Sequence, residues 1–176
     1  MDFPEQFFTL GIQYYVAARS AALMRLVPVS GNLLHHAVEM LLKGDLSAEK
    51  TPEELRTNAG HKLPILWAMF KERHGGGPSA ECDHVIQKLD AFEDIRYPNR
   101  IVAEGASMSV GIGGTAFPYP DESSRPHEPI YTIDVSDVDR LVSIIFDFSP
   151  YNLAFFRAKL TSDAKQILTE GNTWLS

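Results

Sequence analysis

His35, His36, Glu39 and Lys43 crowd into one short stretch, and His61 follows not far behind. An imidazole titrates near neutrality and can move protons or ligate a metal through either ring nitrogen. A carboxylate four residues after a histidine lies beside it on a helix, and so does a lysine four residues after the carboxylate. Two readings of the group stand. It is either a polar cluster in a cleft, extending to a metal site because His and Glu at helical spacing can hold zinc, or a solvated helix face with one histidine bonded to a neighbouring helix end. The sequence favours the solvated face. The H-E-x-x-H arrangement is absent and no cysteine joins the group, so neither metal ligands nor a cofactor are predicted.

A second group, Glu93, Asp94 and Arg96, sits at a helix end just ahead of Pro98. Its simplest role is an ion pair fixing the exit of the chain, or a guanidinium satisfying the last helix carbonyls. Gly111-Ile112-Gly113-Gly114 has neither the lysine nor the strand–helix setting of a phosphate loop and reads as a loop tip. Cys82 is the single cysteine, which excludes an internal disulfide. It falls on an apolar stripe, where a thiol is expected to be buried and inert.

These groups need helices to carry them. Leu34, Ala37, Val38, Leu41 and Leu42 recur at three- and four-residue spacing, which predicts a helix over 30–43 with Gly44 as its stop. A first long helix is predicted over 5–26, ended by Pro28 and packed antiparallel on the second. Thr51-Pro52-Glu53-Glu54 is a capped helix start. Gly60 ends that short helix, and His61 is expected to bond an orphan backbone group of the next. Leu63, Leu66, Trp67 and Phe70 mark a further helix stopped at Gly75-Gly76-Gly77, and a fourth long one is predicted over 79–95. From 100 to 135 the helical period disappears among Pro and Gly, and 101–103 and 130–133 read as short strands closing a hairpin. Helix resumes at Ser136 as its cap, breaks at Ser149-Pro150 and ends in a short segment before Gly171.

With 176 residues, one domain with a sizeable core is expected. The fold class is therefore all-α: a single helical domain over 1–176, an up-and-down bundle of four to five main helices, a hairpin-like or loop excursion at about 100–135 and a helical extension over 149–176. The formal charge of −7 offers no global attraction for nucleic acid, so contact with it would need a local basic patch. The acidic start M-D-F-P-E lacks the basic region of a leader, and no apolar run approaches the roughly 18 residues of a membrane span. A cytoplasmic protein with no membrane association is the expectation.

Three segments taken in order carry a resemblance: H-A-V-E-M-L-L-K-G-D-L with His36 at its head, G-H-K-L from Gly60 to Leu63, and L-D-A-F-E-D-I-R-Y-P from Leu89 to Pro98. The chain resembles HEPN domains over roughly residues 7–148. These are small helical bundles of prokaryotic toxin–antitoxin, defence and nucleotidyltransferase-associated systems. The resemblance implies a homodimer. In catalytic members an arginine and a histidine a few residues apart cleave RNA without a metal, the histidine as proton acceptor and the guanidinium as the cation facing phosphate. Arg96 matches the arginine, but Ile101, Val102 and Ala103 stand where the histidine would be, and none accepts a proton. The expectation is thus a non-catalytic HEPN-like module that binds a partner protein, or nucleotide or RNA, in a defence or stress system. His36, Glu39, Lys43 and Arg96 would hold the ligand, with Arg100 in support. Two alternatives remain. One is a metal-independent ribonuclease that pairs Arg96 with His127 or His61 as a relocated base, and the other is a scaffolding helical protein.

Overall fold

The computed structural model describes residues 2–76, 80–96, 99, 105–112, 115–117 and 130–175, with 80 and 115–117 described as backbone alone. The first two helices form the spine. α1 runs Phe3–Leu23 and α2 runs Val27–Leu46. Phe8 meets Gly44 near one end of the pair and Gly11 meets Leu41 further along, so the helices are antiparallel, as the sequence leads one to expect. A Cβ on Gly44 would lie 2.6 Å from the Phe8 ring. Gly44 is therefore a point of close approach inside α2 rather than its stop. Pro28 does not end α1. It occupies the first turn of α2, where its fixed φ suits the helix and its missing N–H costs nothing. The turn between them rests on Arg25, whose φ of 62 is left-handed.

α3 (Pro52–Asn58) opens with the capping box expected of Thr51 and Glu54, and Gly60 follows it at positive φ. α4 spans Leu63–Arg73. The long helix expected over 79–95 is instead a 3-10 turn at Ala80–Cys82, α5 at Asp83–Ala91 and a second 3-10 turn at Phe92–Arg96. That last turn is pinned hard. Phe92 is fully buried and its ring lies against Gly31 of α2, where a Cβ would come within 2.1 Å of it. Glu93 and Arg96 are delivered to α2 by this contact.

The strands differ most from expectation. β1 (Ser107–Ile112) is the middle strand of a three-stranded sheet, antiparallel to β2 (Thr115–Phe117) and parallel to β3 (Ile130–Asp134). Segment 130–133 is indeed extended, but its partner is β1, with Met108 opposite Tyr131 and Val110 opposite Ile133. The other expected hairpin arm, 101–103, lies outside the described residues. Tyr131 and Ile133 alternate with exposed neighbours and face the core, Tyr131 against Phe92. β3 runs directly into α6 (Val135–Phe148). Its cap is Asp134, which accepts from the Ser136 amide, and not Ser136 itself. α7 (Leu153–Ala158) and α8 (Ser162–Thr169) follow the break at Ser149-Pro150.

The class is thus mostly helical, as the sequence reads. The count of four to five bundle helices needs correcting. Among the described residues there are eight helices, most of them short, and a sheet built into the core. None of these helices is long and apolar enough to cross a membrane.

Candidate functional site

α2 presents His35 and Glu39 toward α5, His61 and the Phe92–Arg96 turn, with Lys43 bonded to Glu39 and His36 beside the Tyr14 ring of α1. The expected solvated stripe is not what forms. Glu39 and His35 are fully buried, Lys43 nearly so, and only His36 among the four keeps a partial opening to solvent. A charge buried this deeply survives only with partners. Lys43 Nζ donates to Glu39 Oε1 at 2.6 Å, and His61 Nδ1 lies 2.9 Å from the same oxygen. His36 Nδ1 lies 3.3 Å from Glu39 Oε2. Burial pushes the Glu39 carboxyl up, but the hydrogen bonds from His36 and Lys43, then the charges of Lys43 and His61, outweigh it and hold the group at about 2. It is a carboxylate at any physiological pH.

His61 was expected to hold the start of α4. It reaches across to Glu39 instead, and Asp90 takes the Leu63 amide at 2.9 Å. Arg96 donates to Glu93 Oε1 at 3.0 Å, the ion pair that the sequence suggests for this helix end. The other oxygen of Glu93, Oε2, lies 3.8 Å from His35 Nε2. A single carboxylate therefore connects Arg96 to the α2 histidine group. Arg100 and His127 lie outside the described residues. A concavity of about 530 Å³ opens elsewhere, between α6, α7 and the tail, and is lined by residues such as Phe146, Tyr151 and Arg157. None of His36, Glu39, Lys43, His61 or Arg96 lines it.

Two features escape a reading of sequence. His35 is the hub of the cluster: its Nδ1 is 3.1 Å from the Leu89 carbonyl and its Nε2 faces both Glu39 and Glu93. Glu93 is separated from His35 by the rest of α2 and three further helices, and no local spacing signals their meeting. The second feature is a buried knot on α1, where Arg19 and Tyr15 bind Asp139 of α6. Asp139 stands in the first turns of α6, where an acidic residue suits the helix start, and it is almost fully buried.

No family model matches the chain, and no solved structure matches it. A curated relative is the alginate biosynthesis sensor protein KinB of Pseudomonas aeruginosa, 28% identical over 152 residues, covering 78% of this chain and 25% of that protein. The chain spans about a quarter of that relative's length.

Proposed function

We propose that this chain is a HEPN-like, non-catalytic interaction module, a cytoplasmic bundle that pairs with a second copy of itself and then with a protein partner in a prokaryotic defence or stress system of toxin–antitoxin type. The observation that carries the reading is the meeting of the three motif segments. Glu39 and Lys43 from the first bond each other and His61 from the second, and the Glu93–Arg96 pair of the third faces them across the buried His35. Their convergence supports reading the three segments as one unit.

Binding is favoured over cleavage by the state of the histidines. His35, which faces the carboxylate that holds Arg96, has no solvent exposure, so no substrate hydroxyl reaches it. His61 is exposed, and its Nδ1 bonds Glu39 rather than Glu93, the carboxylate that holds Arg96. A protein surface is favoured over RNA by the charge of −7. It is favoured also by α1, where Phe3, Leu10, Tyr14 and Ala17 stand exposed at intervals of seven, four and three, with Met24 seven further on at the cap. That spacing is a helix-pairing seam. Likeness to part of a protein named as a sensor accords with a binding role, and no activity of that protein is carried over.

Sedimentation of the purified chain at micromolar concentration tests the reading. A dimer is expected, and Leu10→Glu with Tyr14→Glu should yield a monomer of unchanged helix content. A wild-type monomer sinks the proposal. A labelled oligoribonucleotide run in parallel separates the alternatives. Cleavage lost in Arg96→Ala would establish the ribonuclease instead, and binding lost in that variant without cleavage would make RNA the partner.

A further inference from the structure

The interior of the α2 cluster contains an electrostatic conflict. A carbonyl oxygen only accepts, so His35 Nδ1 must carry a proton to bond Leu89. In the neutral ring this leaves a bare lone pair on Nε2. Opposite that lone pair stand two carboxylate oxygens, Glu39 Oε2 at 3.9 Å and Glu93 Oε2 at 3.8 Å. All three atoms are acceptors. His35 Nε2 and Glu93 Oε2 are buried and have no hydrogen-bond partner, although leaving such atoms unpaired costs stability. The fourth donor atom, His36 Nδ1, is 3.3 Å from Glu39 Oε2.

We infer that His35 Nε2, His36 Nδ1, Glu39 Oε2 and Glu93 Oε2 form a binding site for a first-row divalent cation of the zinc type. Ligands about 2.0–2.1 Å from a tetrahedral zinc lie roughly 3.3 Å from one another. The observed separations of 3.3 Å for His36–Glu39, 3.9 Å for His35–Glu39 and 3.8 Å for His35–Glu93 approach that value for three of the six pairs, and the Glu93 side chain must swing inward to complete the set. The ligand atoms of His35, His36 and Glu39 already lie within 4.8 Å of each other. The surroundings are those of a supported site. Each carboxylate commits its outer oxygen to a fixed partner, Glu39 Oε1 to Lys43 and His61 and Glu93 Oε1 to Arg96, and turns its inner oxygen to the centre. The backbone of Leu89 sets the His35 tautomer that a metal requires. His36 and Glu93 are partly exposed and give an ion a way in. A bound cation would clamp the turn carrying Arg96 onto α2.

The inference does not depend on the proposed function, because uptake is read on the chain alone with zinc or cobalt as the probe. Tag-free full-length protein, stripped with chelator, is titrated with zinc against a chromophoric competitor and separately with cobalt. One equivalent per chain is expected, with visible ligand-field bands for cobalt and a higher melting temperature in zinc. Glu93→Gln and His36→Gln should each weaken binding tenfold or more, while His84→Gln, at a histidine outside the cluster, should leave it unchanged. Circular dichroism of the metal-free variants checks that they are folded. If one variant fails that check, the other alone decides. Absence of stoichiometric uptake by the wild type overturns the inference, as does uptake that the folded variants leave undiminished. The first result would mean that a protonated His35 bridges the two carboxylates instead.

Discussion

Two of the buried polar networks are built from similar groups and finished differently. At Arg19 every guanidinium nitrogen has an acceptor: Nε the Ile167 carbonyl at 2.9 Å, Nη1 Asp139, and Nη2 the Glu170 carbonyl. Tyr15 donates its hydroxyl to Asp139 and accepts from Asn172 at 3.1 Å, and Asn172 in turn accepts the amides of Trp174 and Leu175. Burial, with the Asp139 carboxylate beside it, holds the Tyr15 hydroxyl well above its usual titration range, so it stays a donor. At His35 the same depth of burial leaves two inner atoms without partners. A closed network specifies a fold. An open one, with its facing atoms buried, costs free energy that the fold alone does not recover, and so it points to a ligand.

Breaking the closed network should cost most. Asp139→Ala leaves the Arg19 guanidinium buried without its counter-charge, and a loss of about 3–5 kcal/mol is expected in urea unfolding. The open network should respond to pH. Glu39 titrates at about 2 in the folded chain and near its ordinary 4.5 when unfolded, so it binds fewer protons folded than unfolded. Its contribution is complete above about pH 4.5 and is lost as pH falls toward 2, a step on the order of 3 kcal/mol. Unfolding measured across that window should show the step, and Glu39→Gln should flatten it.

Gly31→Ala tests how the open network is assembled. Its new Cβ would press on the Phe92 ring, at an overpacking cost of about 1–3 kcal/mol. Because the same contact sets the Glu93 turn, zinc affinity should fall with stability. Asp139→Ala carries no such linkage, and chelator competition on folded protein separates the two cases. The smallest effect should come from Arg96→Ala. Its pair with Glu93 is substantially exposed, so thermal unfolding should register under about 1 kcal/mol.

The contrast also marks how far sequence reaches. Leu34, Ala37, Val38, Leu41 and Leu42 are all fully buried, as their spacing requires, and the Thr51 box forms as written. Such features are local, so the residues that determine them are neighbours in the chain. The α2 stripe was legible as a unit but its environment was not. Polar spacing on a helix cannot say whether solvent or another buried carboxylate faces it. Glu93 reaches His35 only because Phe92 docks on Gly31, which is a tertiary event. The parallel pairing of β1 with β3 is invisible for the same reason, since period-two alternation identifies a strand and not its partner. Arg19 carries no signal at all. Its carboxylate lies 120 residues away, and its last carbonyl partner 151.

Those separations order the events of biosynthesis. The α1–α2 hairpin contains everything its apolar interface requires and can dock while the rest of the chain is still being made. Arg19 cannot yet be settled within it. Until positions 139, 167 and 170 have left the ribosome, the first helix holds a cation that has nowhere dry to go. Residues from 139 to 170 thus act as a latch on α1, and the newborn hairpin stays hydrated on that flank until they have emerged.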